Sequence, residues 1–406
     1  MSNSLKVDET KKQIFAWIEE RKNDLIQVSH DIHDHPEVGN KEFYASERLY
    51  RVLESQGFSV EIGVAGHPTG FIARKKSSHS TGPVIGFLAE YDALPEIGHG
   101  CGHNIIGTAS VGAAIALASL IDDVGGQVVV FGTPAEEGGE NGSAKASFVK
   151  QDLFKGIDAC LMIHPSNTTN VTENTLALDP IDFEFFGKAA HAASAPEKGI
   201  NALDGVIQLF NGINALRQQL PTDVRIHGII THGGDAPNII PAYAKARFFI
   251  RSSTRSGCNE VTAKVKAIAE GAALATGTKV KISFFQNQVD NFLINQKLNH
   301  LFKEVMEELG EAMEEPVNKG KGSTDAGNVS HIVPTIQPSI KIGPKELAGH
   351  SIEFCNAARS EAGDYALILG TKALAITGLT LLTQPEKLQQ IQAEFQKNVS
   401  LDCCGS

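Results

Sequence analysis

Glu90-Tyr-Asp-Ala-Leu-Pro-Glu-Ile-Gly-His-Gly-Cys-Gly-His-Asn-Ile-Ile106 decides how the rest of this chain is read. Just before it, Val84-Ile-Gly-Phe-Leu-Ala89 is a short apolar run closed by an acid, the pattern of a buried strand in a parallel sheet. Just after it, Ile105 to Leu120 is rich in alanine and of helical length. Cys101 and His103 therefore fall on a Gly-rich strand-to-helix loop at the carboxyl end of a strand, where open α/β sheets place their ligands. A thiolate and an imidazole two residues apart can reach one metal ion or two adjacent ones, and Gly100 and Gly102 relieve the backbone crowding of such a bite. On the tripeptide alone, a buried cysteine beside a loop histidine reads equally well.

The next strand-like runs shift that balance. Gly126-Gln-Val-Val-Val-Phe-Gly132 ends in Thr-Pro-Ala-Glu136-Glu137-Gly-Gly. The side chains of adjacent carboxylates diverge, so one can bind a metal while the other faces a water that the metal activates. Two solvated loop glutamates are the commoner meaning of Glu-Glu, but here a metal-type loop lies one crossover away. A third run, Ala159-Cys-Leu-Met-Ile163, delivers His164 before Pro165 in the same relative position. Three successive βα units thus present Cys and His, then Glu and Glu, then His, at one edge of one sheet.

Composition excludes several classes. With 406 residues, 42% hydrophobic and 20% charged, the chain is an ordinary globular one, long enough for two domains. A net charge of −11 argues against a nucleic-acid partner. The amino terminus lacks the apolar core of a secretory signal, so the expected home is the cytoplasm. The most apolar stretches, around Thr108–Ile121 and Ala366–Leu382, are short, rich in small residues or interrupted by Lys372, so no membrane role is expected. The six cysteines have no framework spacing and suit a reducing compartment; Cys403 and Cys404 fall in a tail expected to fray.

Thr10 to Val28 and Ser46 to Gln56 have helical periodicity. Between them, His30, His33 and His35 read as a hydrogen-bonded helix end before Pro36 rather than a metal site, because no thiolate or second carboxylate anchors them. From Ile181 the pattern changes to β-α-β-β-α-β. Its strands are Ile181–Phe186, Val224–Ile230, Ala244–Ile250 and Lys279–Phe284, with helices at Asn201–Gln219 and Asn259–Thr276. That is the split βαβ, ferredoxin-like order, inserted as a domain of residues 179–292 between 1–178 and 293–406. A helix Leu298–Leu309 returns to the first domain, and an apolar helix at Ala362–Leu382 closes it. The loop Gly322-Ser-Thr-Asp325-Ala-Gly-Asn328 and the run Ala348-Gly-His350-Ser351 are unremarkable alone.

Five ordered motifs together resemble the M20 metallopeptidases and amidohydrolases over nearly the whole chain. They are Glu90-Tyr-Asp-Ala-Leu-Pro95, Gly98-His-Gly-Cys-Gly-His-Asn104, Lys188-Ala-Ala-His-Ala-Ala193, Pro237-Asn-Ile-Ile-Pro241 and Gly322-Ser-Thr-Asp-Ala-Gly-Asn-Val329. The Cys-Gly-His loop is similar to the branch of N-acyl amino acid and auxin-conjugate hydrolases, and the five motifs look most like its aminobenzoyl-glutamate hydrolase and aminoacylase-1-like subgroup. The resemblance implies an α/β, phosphorylase/hydrolase-like catalytic domain with a mixed central sheet, plus the inserted ferredoxin-like α+β domain as dimerisation domain and lid. It implies two divalent metals held by Cys101 as bridging thiolate with His103, Glu137, His164 and His350, Glu136 as general base, and Asp92 orienting a ligand histidine. His191 and Asn238 would hold the substrate and its tetrahedral oxyanion. Asn104 departs from the wider branch, where Cys-Gly-His-Asp is usual.

A thiolate, three imidazoles and a carboxylate suit zinc, while two-metal hydrolases also accept manganese, cobalt or nickel. The expected reaction is attack of a metal-activated water on the amide of a small N-acyl amino acid, an aminobenzoyl-glutamate-like conjugate or a dipeptide, by a homodimer. Arg247 and Arg251 are candidates for gripping a substrate carboxylate, against the commoner reading of strand arginines as solvated or ion-paired. A catalytically silent relative that binds small ligands or regulates a partner is the competing reading; intact Glu136 and a full ligand set argue against it.

Overall fold

The computed structural model describes residues 3–314 and 322–404. They form two compact units, one of residues 3–174, 292–314 and 325–404 and one of residues 175–291 and 322–324. In chain order the strands are β1 (Ser59–Ile62), β2 (Phe71–Lys76), β3 (Val84–Ala89), β4 (Gln127–Gly132), β5 (Ala159–Leu161), β6 (His164–Ser166), β7 (Ala177–Phe186), β8 (Arg225–His232), β9 (Tyr243–Ser252), β10 (Lys279–Phe284), β11 (Thr335–Ile336) and β12 (Ser339–Lys341).

The first unit is built on a mixed sheet of order β1-β2-β4-β3-β5-β11, in which β4, β3, β5 and β11 run parallel, β2 runs opposite to them and β1 is antiparallel to β2. Strands β3 and β4 are apolar almost throughout because both faces of the sheet are covered. Helix His103–Ala118 is buried along its whole length. Its alanines and glycines let it pack closely against helix Glu361–Thr383. That second helix is, among the described residues, the one long and apolar enough to cross a membrane, and it is buried almost entirely within the fold.

Several boundaries differ from the sequence pattern. The first periodic stretch forms two helices, Asn3–Glu20 and Lys22–Asp34, broken at Arg21. A final helix that the sequence reading does not name, Pro385–Cys404, extends to Cys403 and Cys404, the part of the tail expected to fray. Its Leu388, Ile391 and Phe395 are spaced for one buried face. The side chains of Cys403 and Cys404 lie outside the described residues.

The second unit has four antiparallel strands in the order β10-β7-β9-β8, packed against helices Ala202–Leu216 and Arg255–Thr276. Phe183, Phe185, Phe248 and Ile250 meet Val206, Leu209, Val261 and Val265 in its core. Strand β7 starts at Ala177, ahead of the alternation from Ile181, because Pro180 lies just past the end of the β10 ladder, where the missing N–H goes unneeded. The second helix starts at Arg255 rather than Asn259 because Thr254 caps it, its hydroxyl oxygen accepting the Gly257 N–H at 3.1 Å. Strand β8 is an edge strand, with Ile229 and Ile230 exposed.

Candidate metal centre

Three neighbouring parallel strands, β4, β3 and β5, bring their carboxyl ends to one place. From β3 come Glu90 and Asp92, then the loop carrying Cys101 and His103. Gly102 in that loop has φ +75°, and a Cβ there would sit 2.8 Å from Pro165 Cγ. Strand β4 runs through Ala135, itself left-handed at φ 57°, to Glu136 and Glu137. Beyond β5 comes His164, and His350, at φ 59°, joins from the loop whose backbone N–H bonds Gly100 O at 2.9 Å. Left-handed backbone at non-glycine residues is costly, and Ala135 and His350 place it beside the ligand-type side chains.

The candidate ligands form overlapping triads: Cys101, His103 and His164; Cys101, Glu137 and His350; and His103, Glu136 and Glu137. Cys101 Sγ lies 3.5 Å from His164 Nε2. Glu137 Oε1 lies 3.8 Å from His103 Nε2 and 3.5 Å from His350 Nε2. Donors about 2.0–2.3 Å from one shared ion stand roughly 3.3–3.8 Å apart at a tetrahedral angle, so these spacings fit a shared cation.

Both inner histidines hold the tautomer a metal needs. His103 Nδ1 donates to Asp92 Oδ1 at 2.8 Å, and His164 Nδ1 donates to the Pro165 carbonyl at 2.7 Å, leaving each Nε2 facing the cluster as the atom an ion would take. The other Asp92 oxygen accepts the Glu137 N–H at 2.9 Å, so one carboxylate orients two candidate ligands. Among the described residues, His103 Nε2 and Glu137 Oε1 are buried without a hydrogen-bond partner, as atoms meant for an ion would be.

Charge points the same way. Burial, reinforced by Glu137, pushes the Cys101 thiol well up, so a thiolate there requires a cation. Burial also raises Glu136 well above the carboxylate range, with Glu90 and Glu137 adding to it, and burial raises Glu137. Burial disfavours a charged His103, but Asp92 overcomes this and lifts its pKa well above the ordinary value. Burial holds His164 below its ordinary value, neutral and able to donate a lone pair.

A second layer of charge went unread in the sequence. Lys145 is fully buried, its Nζ 2.6 Å from Glu90 Oε1 and 2.5 Å from Asp325 Oδ1, and Glu90, Glu136 and Asp325 lie together. In the sequence Glu90 is the acid closing a strand and the first residue of a resemblance motif, with no role assigned. The signals for Asp325 are its polar Gly-rich loop and its place in the Gly322–Val329 motif.

His191, Asn238 and Arg251 belong to the second unit. The His191 and Asn238 segments pair directly, Ala192 N–H bonding Asn238 O at 3.0 Å. His191 Nδ1 accepts the N–H groups of Ala193 and Ser194, which puts its proton on Nε2. Arg251 bonds Ser323 Oγ at 3.0 Å and its buried Nε has no hydrogen-bond partner among the described residues. Arg247, by contrast, is clamped on Asp182 at 2.7 and 2.9 Å and is not free to grip a substrate.

Asn104 donates to Ser29 Oγ and Ala358 O, bonds an ionised Asp could not make. His30, His33 and His35 serve packing: His30 bonds Asp364, and His33 and His35 bond the carbonyls of Cys355 and Asp31. In the first unit, a cavity of about 510 Å³ opens beside Glu137, lined by Val38, Asn40, Lys41, Pro68, Glu140 and Asn141 among others.

Residues 86–367 match peptidase family M20/M25/M40. The chain is 34% identical to a mouse (Mus musculus) Xaa-Arg dipeptidase over 97% of its own length and 94% of the relative's. It is 36% identical to one of the subunits of p-aminobenzoyl-glutamate hydrolase from Escherichia coli K12, over 72% of its length and 64% of that protein. A solved dinuclear metal-binding peptidase of the M20 family from Bacillus subtilis shares the fold, with TM-score 0.65 and 19% identity over 90% of this chain and 99% of that one. The chain belongs to peptidase family M20/M25/M40 and is a hydrolase of the M20 type.

Proposed function

We propose that this hydrolase uses two divalent ions, zinc or manganese with cobalt or nickel able to substitute, to cleave the amide bond of small N-acyl amino acids, aminobenzoyl-glutamate-like conjugates or dipeptides. The observation that carries the reading is the overlap of two ligand triads at Cys101, with His103 and His164 on one side and Glu137 and His350 on the other. When bound, the ions supply the Lewis acidity that makes water nucleophilic near neutral pH and polarises the scissile carbonyl.

Glu136 takes the proton of the attacking water and delivers it to the amide nitrogen as the C–N bond breaks, releasing a carboxylic acid and an amine. Asp92 keeps His103 and Glu137 aimed. His191, with its proton on Nε2, suits the oxyanion. Asn238 and Arg251 are assigned to the substrate's polar end, and the desolvated Arg251 guanidinium favours a carboxylate.

The exposed edge strand β8 supports a homodimer formed through the inserted domain. A reducing, cytoplasmic setting goes with this reading, because Cys101 must stay a free thiol. The test is release of free amine from N-acetyl amino acids, aminobenzoyl-glutamate and dipeptides ending in Arg or Lys, by protein loaded with zinc or manganese. Metal-loaded protein that cleaves none of these overturns the substrate class.

A further inference from the structure

The ligand set named so far leaves one carboxylate unexplained. Glu90 Oε2 lies 3.4 Å from His103 Nε2, closer than Glu137 Oε1 at 3.8 Å or Glu136 Oε2 at 4.0 Å. Both atoms are fully buried and neither has a hydrogen-bond partner. The far side of the imidazole is already taken by Asp92. Two donors about 2.0–2.1 Å from a common ion at a tetrahedral angle lie about 3.4 Å apart. The Glu90–His103 spacing is therefore that of two ligands on one cation.

The other Glu90 oxygen explains how such a carboxylate is held. Oε1 is paired with Lys145 Nζ at 2.6 Å. The same ammonium is paired with Asp325 Oδ1 at 2.5 Å, and Asp325 Oδ2 accepts the Lys145 backbone N–H at 3.0 Å. One buried cation between two buried carboxylates leaves a net negative charge, and among the described residues Glu90 Oε2, which faces His103, is the one oxygen of that trio held by neither Lys145 nor a hydrogen bond. A trio serving stability alone would have no need to aim an oxygen without a hydrogen bond at the Nε2 of a candidate metal ligand, since a buried unpaired acceptor costs about 1–3 kcal/mol.

We propose that Glu90 is a further ligand of the metal ion carried by His103, fixed in place by Lys145 and Asp325. The inference rests on the metal-hydrolase reading above and adds a hard oxygen donor to a set otherwise dominated by sulfur and nitrogen. Such a donor raises affinity for manganese more than for zinc.

The test uses full-length protein stripped of metal and titrated with manganese or zinc against a competing chromophoric chelator. Glu90→Gln keeps the size and removes the charge. It is expected to weaken manganese binding about tenfold or more and zinc binding less. The visible absorption of the cobalt-loaded protein should also shift. Glu90→Asp retains the ion pair and retracts the carboxylate by one methylene; it keeps the proposal testable if Glu90→Gln does not fold, and should again weaken manganese more than zinc. Parent-like affinities and an unchanged cobalt spectrum in a folded variant overturn the proposal. Failure of the parent itself to take up metal would instead overturn the metal-hydrolase reading on which it rests.

Discussion

Asp92→Asn offers the sharpest test of how the centre is aimed, because a near-isosteric change removes one thing only. Asp92 accepts two hydrogen bonds at once, from His103 Nδ1 and from the Glu137 N–H, and it is fully buried. An amide can accept only one of them. If its oxygen faces the Glu137 N–H, its NH₂ faces His103 Nδ1 and drives the imidazole proton onto Nε2, the atom needed for the metal. If it is flipped, its NH₂ meets the Glu137 N–H and the backbone beneath that ligand is pushed off. Either way the bound state loses one buried hydrogen bond and gains a donor-to-donor contact, about 1–3 kcal/mol. That corresponds to roughly 5- to 150-fold in affinity, in line with the 10- to 100-fold cost typical of losing a group that orients a ligand. Chelator competition with zinc measures it directly. Saturating metal should restore most of kcat, since Glu136 is untouched. A variant with parent affinity would show that His103 does not need its Nδ1 proton fixed and would refute the tautomer argument.

Glu136→Gln should lower kcat on an N-acyl amino acid by about 10³ or more with little change in KM and full metal content, whereas Glu137→Gln should lose metal as well; metal loss in the first variant would exchange the two roles. Asn104→Asp replaces the two donors to Ser29 Oγ and Ala358 O with a buried charge, so stability in urea should fall by about 3 kcal/mol, and parent-like stability would remove the reason given for asparagine at this position. Burial depresses His67 to about 4. The unfolded chain therefore takes up this proton first, and stability contributed by neutral His67 is present above the unfolded value of about 6.5 and is lost as pH falls toward 4. In metal-free protein the stability gap between parent and His67→Gln should narrow over that window; a gap independent of pH would refute it.

What the sequence disclosed is what lies close along the chain. Cys101-Gly-His103 and Glu136-Glu137 stand at the ends of apolar runs, so the topology of parallel strands alone collects them on one edge. His350 carried no such mark and entered only through resemblance. Lys145 carried none at all: its meaning depends on Asp325, 180 residues away, and on Glu90, whose acid closes a strand in a way many strands share. Boundaries slipped wherever a single side chain overrode periodicity, at Thr254 through its cap and at Pro180 through a ladder that had already ended.

Arg247 and Arg251 show the limit most clearly, since they sit four apart on one strand and nothing local separates them. Register does. Opposite Arg247 on β7 stands Asp182, and an opposite charge across a strand pair captures the guanidinium. Opposite Arg251 stand Leu178 on β7 and Arg225 on β8, one apolar and one of like charge. With no acid in register, Arg251 has Ser323 for one nitrogen and, among the described residues, nothing for its buried Nε. Burial accordingly pulls its pKa below the ordinary arginine value. A guanidinium left desolvated and short of acceptors gains most from a carboxylate supplied from outside, which is why, of the two, Arg251 is the one we propose for a substrate's anionic end.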